Sequence, residues 1–131
     1  MPHKTKRPEA FPIAVTCQRH SDCFYLFWIH ERLLKFYNKQ TPKIKERINW
    51  TIKLIKAVER VPTKYLKNIT GTTLYEMRMI SGTNIYRIFC FFDKGKLVVV
   101  LNGFQKKTRK TPKNEIKLAE KLQKQYYNEQ N

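Results

Sequence analysis

The chain has 131 residues, enough for one domain whose core needs neither a disulfide framework nor a structural metal. Its 27 basic and 10 acidic side chains give a formal net charge of +17, well above the roughly 2–8 charges that keep a small domain soluble. This excess excludes a neutral scaffold and predicts a polyanionic partner, with nucleic acid ahead of an acidic protein or an anionic membrane surface.

The number and spacing of the cysteines and the length of the apolar runs indicate the cellular compartment of the protein. The three cysteines, Cys17, Cys23 and Cys90, contain no Cys-x-x-Cys pair, and their odd number argues against a disulfide framework or a zinc site. We expect Cys90 to be a buried thiol within a strand. The longest apolar run near the start, residues 24–29, is shorter than a signal-peptide core or a membrane span. The sequence predicts a cytoplasmic protein in a reducing environment, with no membrane association, metal or other cofactor.

The first predicted element follows an N-terminal extension. Residues 1–22 carry three prolines and no sustained apolar periodicity, which predicts a flexible extension before a domain over residues 23–131. The aromatic-rich run at residues 23–29 predicts a buried first strand, and residues 31–38 predict a short helix.

A second helix follows at once. Thr41 supplies its N-cap and Pro42 its first turn, and Pro62 ends it. Its apolar stripe is formed by Ile44, Ile48, Ile52, Ile55 and Val58. The two helices predict an antiparallel hairpin that packs on a sheet further along the chain. Trp28 and Trp50 are predicted to be core residues rather than platforms for nucleobases.

The second half of the chain predicts a three-stranded antiparallel meander over residues 74–80, 84–92 and 96–104. Gly82-Thr83 and Asp93-Lys94-Gly95 supply its turns, and an apolar run in the last strand indicates a central position. A final helix begins at Thr111-Pro112. The predicted fold class is α+β: a small antiparallel sheet with a mixed edge, packed by an N-terminal helical hairpin and a C-terminal helix.

The hairpin register predicts a cluster of charges. If Gly82-Thr83 is a two-residue loop, Arg78 lies directly opposite Arg87, a pairing of like charges that costs stability unless an anion lies between them. Glu76 lies on the same face as Arg78, because side chains alternate along a strand. The following strand delivers Lys106 and Lys107 to the same region.

Other interpretations of these residues remain open. Arg78 and Glu76 are also compatible with a half-exposed ion pair, and Arg87 with a side chain at a sheet edge. The cationic run after the last strand fits a solvated turn, although the lack of any acid within it favours binding. The run consists of Lys106, Lys107, Arg109, Lys110 and Lys113.

Three segments together resemble the RelE/ParE toxin superfamily, and within it the phage-derived Gp49-like and HigB-type toxins of type II toxin–antitoxin systems. They are LYEMR from Leu74, NIYRIFCFFDKGKLVVVLNGFQKKTRKTP from Asn84, and EIKLAEKL from Glu115. The resemblance implies a RelE-like fold and a ribosome-dependent endoribonuclease, an mRNA interferase that needs no metal. Cleavage would proceed by attack of a ribose 2′-OH on the adjacent phosphate of translated mRNA. The implied partners are mRNA on the 70S ribosome and a cognate antitoxin, a helix-turn-helix protein of the HigA type.

The resemblance also implies roles for single residues. Arg87 matches the arginine of a Tyr-Arg strand motif and would stabilise the phosphate, with Arg78 sharing that role. Lys107 matches a further active-site cation, with Lys106 as the fallback. Glu76 departs from the family's second strand lysine, and proton transfer would fall to Glu76, to a lysine of lowered pKa or to Tyr127. The expected RNA-binding residues are Lys67, Lys106, Arg109, Lys110, Lys113 and Tyr127.

Two alternatives stand beside the nuclease. One is a non-catalytic, ParE-like poison of DNA gyrase, a class that lacks the cationic cluster. The other is a basic RNA- or ribosome-binding module, in which each cation contributes only one phosphate contact.

Overall fold

The structure is a computed structural model that describes residues 25–95, 97–107 and 110–130. The predicted N-terminal extension, Cys17, Cys23 and Arg109 lie outside these residues. The described part has the predicted α+β architecture of helices packed on a sheet. Its elements are β1 (Leu26–Ile29), α1 (Glu31–Asn38), α2 (Pro42–Ala57), β2 (Leu66–Asn68), β3 (Tyr75–Ser81), β4 (Asn84–Asp93), β5 (Leu97–Lys106) and α3 (Lys113–Gln130).

The sheet has the strand order β1-β5-β4-β3-β2. β1 runs parallel to β5 and every other pair is antiparallel, so the predicted mixed edge is confirmed. β5 lies between β1 and β4, the interior position predicted from its apolar run. The edge strand β2 was not predicted, because three residues are too few for an alternating pattern.

Both helices of the N-terminal pair begin at side-chain caps. The Thr41 hydroxyl accepts a hydrogen bond from the Ile44 amide at 3.4 Å, and Pro42 occupies the first turn, as predicted. His30 caps α1 by accepting from the Arg32 amide at 3.0 Å. The predicted stripe of isoleucines on α2 is buried. α2 ends at Ala57, a few residues before Pro62.

The sheet separates two hydrophobic cores. α1 and α2 cover one face, where Leu33 and Ile48 pack against Met77, Ile88 and other residues of that face. α3 covers the other face, and its buried residues Ala119, Leu122 and Tyr126 belong to a cluster with Trp28, Phe89 and Phe91. Trp28 is therefore a core residue, as predicted. Cys90 is fully buried in β4, and burial raises the pKa of its thiol.

A β-bulge interrupts the pairing of β4 with β5. Phe89 pairs with Asn102 and Cys90 with Val100, so Leu101 is an extra residue on β5. The bulge exchanges the faces to which odd- and even-numbered residues of β5 point. Val99 and Leu101 belong to the α3-side core before it, and Phe104 belongs to the same core after it. No helix of the described residues is long and apolar enough to cross a bilayer.

Gly103 provides a test of the packing of α1 on β5. A Cβ at this position would lie 2.9 Å from Cδ2 of Phe36 and 3.2 Å from Cγ1 of Ile88. We expect Gly103→Ala to lower the free energy of unfolding by about 1–3 kcal/mol, because α1 must shift to admit the methyl group. Urea denaturation measures the change. The double variant with Phe36→Ala should lose less than the sum of the two single variants, and strict additivity would contradict the close approach.

Candidate active site

A charged patch interrupts the apolar α3-side face of the sheet. Strand alternation and the observed register place Glu76 and Arg78 of β3, Arg87 of β4 and Lys106 of β5 on the same face as Phe89. Arg78 pairs with Arg87, which in turn pairs with Phe104. The adjacent row runs from Ile80 through Ile85 to Lys106. We call Glu76, Arg78, Arg87 and Lys106 the arginine cluster.

The hairpin register that was predicted from a two-residue loop is confirmed. Ser81 pairs with Asn84 across Gly82-Thr83, and Gly82 has the positive φ of +63° that this turn requires. Arg78 and Arg87 are therefore direct cross-strand neighbours. The anion between them is the carboxylate of Glu76. Its Oε2 lies 3.7 Å from Nε of Arg78, and its Oε1 lies 3.7 Å from Nε of Arg87.

Both ion pairs are long; the pair with Arg87 is buried, whereas the pair with Arg78 is half-exposed. Arg87 is 5% exposed and Glu76 8% exposed, and at 3.7 Å neither contact is a hydrogen bond. Arg87 Nη1 donates to the carbonyl of Tyr86 at 3.0 Å, whereas Arg87 Nε and Glu76 Oε1 are buried without a hydrogen-bond partner. Buried polar atoms without a partner are costly and uncommon in folded proteins. The guanidinium group of Arg87 therefore keeps donor capacity for an anion.

The position of Arg87 excludes one of the interpretations left open by the sequence. Arg87 lies on β4, which has β3 on one side and β5 on the other, so it is not a side chain at a sheet edge. Arg78 keeps 32% of its side chain exposed. The cluster consequently has a buried arginine in its floor and a second arginine that reaches solvent.

The electrostatic field of the cluster is visible in two pKa shifts. Burial lowers the pKa of Arg87, Glu76 opposes the shift and Arg78 adds to it, although an arginine remains protonated in proteins. Burial also lowers the pKa of Lys106, and the charges of Arg87 and Arg78 lower it further, while Glu76 raises it. Lys106 is therefore coupled electrostatically to both arginines.

The structure brings Lys106, the predicted fallback, to the arginines in place of Lys107. In a ladder without the bulge, Lys107 would share the face of Arg87. The extra residue Leu101 shifts the alternation by one, so Lys106 pairs with Ile85 and takes that face. Lys107 follows the last residue of β5 and is exposed.

The remaining predicted residues lie at three different places. Lys67 of β2 pairs with Glu76, so it is exposed on the face of the cluster. Lys110 and Lys113 are exposed just before and at the start of α3. Tyr127 is 42% exposed, but its ring packs 5.4 Å from that of Phe91, which lies four residues, or about 13 Å, along β4 from Arg87. Burial and Asp93 raise the pKa of Tyr127. The structure thus separates Tyr127 from the cluster.

Sequence reasoning missed a cleft next to the cluster. The prediction that Trp50 belongs to the core is wrong, because Trp50 is 45% exposed. It lines a cleft of ≈ 340 Å³ that also contains Tyr65, Arg78 and Arg87. The sequence signal for this exposure is the position of Trp50 between Ile48 and Ile52, outside the isoleucine stripe of α2.

Within the described ranges, no group of three or more His, Cys, Asp and Glu side chains is arranged to hold a metal ion.

Comparison with known proteins places this site in a family. The model of the family described as phage derived protein Gp49-like (DUF891) matches residues 35–124, more than half of the chain. The chain belongs to the Gp49-like family. The match includes Trp50 and every residue of the arginine cluster. The Gp49-like family relates the chain to toxin–antitoxin modules and to RelE-like toxins, and it implies an antitoxin partner. No curated protein matches the sequence.

The role of Glu76 in this Gp49-like protein can be tested through stability. We expect Glu76→Gln to lower the free energy of unfolding by about 3 kcal/mol, because Arg87 would remain buried without an opposite charge and next to Arg78. Phosphate should restore part of the loss, since a bound anion replaces the carboxylate.

The measurement is chemical denaturation in chloride and in phosphate at equal ionic strength. Glu120→Gln removes the same charge from an exposed position on α3 and should change stability by less than about 0.5 kcal/mol. If both variants have the stability of the wild type, Glu76 does not hold the two arginines.

Proposed function

We propose that this Gp49-like protein is the toxin of a toxin–antitoxin module and a metal-independent endoribonuclease that cleaves translated mRNA on the ribosome. The observation that carries the proposal is the pairing of Arg78 with Arg87 over one carboxylate on an otherwise apolar sheet face. Two guanidinium groups held side by side by a hairpin register form a rigid receptor for a phosphate. The charge of +17 favours approach of the RNA backbone.

The proposed reaction is an intramolecular transesterification. The ribose 2′-oxygen loses its proton and attacks the adjacent phosphorus while the bond from phosphorus to the 5′-oxygen breaks. The departing 5′-oxygen takes a proton from solvent water, which leaves a 2′,3′-cyclic phosphate and a 5′-hydroxyl end. Negative charge increases on the phosphoryl oxygens in the transition state. Arg87 and Arg78 stabilise that charge, and because the fold positions both arginines in advance, little reorganisation accompanies the reaction.

Glu76 and Lys106 have different parts in this proposal. Glu76 positions both guanidinium groups, and its contacts of 3.7 Å are long enough to give way when a phosphate binds. Lys106 accepts the proton of the 2′-OH, since its pKa is lowered by burial and by the two arginines that hold the phosphate. Tyr127 of α3 packs on Phe91, too far from Arg87 for this task. Lys67, Lys107 and the cations before α3 would contact the RNA backbone.

The proposed antitoxin is a helix-turn-helix protein of the HigA type. An acidic element of the antitoxin that covers the arginine cluster would inhibit the toxin, because the cationic face of a toxin attracts acidic chains as readily as RNA. The substrate is proposed to be translated mRNA in the 70S ribosome.

Arg87→Ala tests the reaction in cells. We expect brief expression of the wild-type chain to cut a reporter mRNA within translated codons, and Arg87→Ala to reduce cutting by at least about a hundredfold through loss of charge stabilisation. Primer extension maps the cuts, which should disappear when translation initiation is blocked. Arg32→Ala removes the same charge from an exposed position on α1 and should cut like the wild type.

Two results would contradict the nuclease. Growth arrest with uncut mRNA and blocked replication would identify a ParE-like poison of gyrase. Salt-sensitive ribosome binding that survives each substitution in the arginine cluster would identify a binding module without chemistry.

The role of Lys106 predicts a pH dependence. Because the neutral amine is the base, the cleavage rate should rise with pH and level off above the pKa of Lys106, below the ordinary lysine value. Lys106→Arg keeps the charge but cannot lose a proton in this range, so the rate should fall by about a hundredfold and the rise should disappear. Single-turnover cleavage of mRNA on programmed ribosomes measures both. Lys121→Arg, at an exposed site on α3, should keep the wild-type profile. A profile unchanged in Lys106→Arg would assign the proton to another group.

A further inference from the structure

Two aromatic rings at the cleft beside the arginine cluster carry cations on their surfaces. Trp50 of α2 meets Tyr65 edge-on, with 5.4 Å between the ring centroids. The Arg47 guanidinium lies 5.9 Å from the centre of the Trp50 ring, and Lys64 Nζ lies 5.4 Å from that of Tyr65. Ile80 is 57% exposed at the same cleft. An exposed tryptophan flanked by cations is unusual for a residue whose only role is packing.

The cleft exists because the edge strand β2 is short. β2 pairs only with Tyr75, Glu76 and Met77, so beyond Met77 the edge of β3 that faces away from β4 has no strand beside it. The chain before β2 and the helix α2 flank the free part of β3. The Arg78 amide donates to the carbonyl of Tyr65 at 2.9 Å, and Arg47 Nε donates to that of Ile80 at 3.1 Å. These bonds fix both walls of the cleft relative to the arginines.

We propose that this cleft is a substrate subsite in which Trp50 stacks one base of a single-stranded RNA beside the phosphate held by Arg78 and Arg87. The inference rests on the proposed function and adds to it a binding site for a nucleobase. Stacking on an aromatic ring suits any base, because every base has a π-face, and cations beside the ring suit the flanking phosphates. The volume of ≈ 340 Å³ lies at the small end of the range for pockets that bind small ligands.

The surface on the far side of Trp50 would extend the binding path of the single-stranded RNA. A second hollow of ≈ 680 Å³ is shared by Arg47 and Trp50 with Lys43 and Lys53, and Glu46 is its one acidic residue. An RNA strand that leaves the arginine cluster through the cleft would therefore meet further cations on the far side of Trp50. This continuity of positive charge favours RNA over a protein as the occupant of the cleft, although an acidic protein shares part of the same complementarity.

Tryptophan fluorescence can test the subsite, because Trp50 is 45% exposed whereas Trp28, the other tryptophan, is 4% exposed. The probe is a short single-stranded oligoribonucleotide with 2′-O-methyl groups, which cannot be cleaved by 2′-OH attack. An abasic strand of equal length carries the same charge without bases. We expect the first strand to quench the fluorescence of the full chain, the abasic strand to leave it unquenched, and Trp50→Ala to weaken affinity for the first strand about tenfold.

Two further variants control the measurement. Trp50→Phe keeps a ring and should retain most of the affinity, which is followed by anisotropy of a labelled strand. Leu26→Ala removes a side chain of similar exposure from β1, at the opposite edge of the sheet, and should bind like the wild type. Denaturation curves of all variants identify any loss that is due to unfolding.

Three results would overturn the subsite. Equal quenching by the abasic strand would mean that only the backbone is bound there. Quenching by polyglutamate and not by the oligoribonucleotide would identify a docking surface for an acidic protein. Wild-type affinity in Trp50→Ala, in a protein whose cleavage still depends on Arg87, would refute the subsite and leave the nuclease intact. Conversely, base-dependent quenching by a wild-type chain that does not cleave would support the subsite and refute the nuclease.

Discussion

One carboxylate between two arginines organises this molecule. The turn at Gly82-Thr83 fixes the register of β3 against β4, and that register sets Arg78 directly opposite Arg87. Two adjacent guanidinium groups in a half-buried position are tolerated only with negative charge nearby, and Glu76 provides it from the same face. Folding and the proposed binding of phosphate therefore depend on the same charges, since the arrangement that stabilises the fold also positions the arginines for an anion.

The two faces of the sheet differ in composition. The face under α1 and α2 is apolar and supplies one core. The other face is shared, because α3 packs on β4 and β5 and covers the row of Phe89 and Phe91, while Arg78 on β3 stays partly open to solvent. Proximity to that core buries Arg87, and burial strengthens its interaction with any anion that enters. The low polarity around the site comes from the packing itself.

Local patterns predicted much of this structure. The isoleucine stripe and the Thr41-Pro42 start predict α2, and the two-residue hairpin turn predicts the pairing of Arg78 with Arg87. These features depend on residues that are close in sequence. β2 escaped prediction because its three residues become a strand only by pairing with β3. The exposure of Trp50 depends on where β2 stops, which no local pattern encodes.

The choice between Lys106 and Lys107 could not be predicted from the sequence, because it depends on the β-bulge in β5. The single residue Leu101, which bulges from β5, decides which of two adjacent lysines reaches the site. A homologue that lost one residue there would keep the same lysine pair and yet present the other member. Columns of a sequence alignment would then equate side chains that point to opposite faces of the sheet. Evolution within such a family can thus exchange one cation for its neighbour by an insertion or a deletion, without substituting either of them.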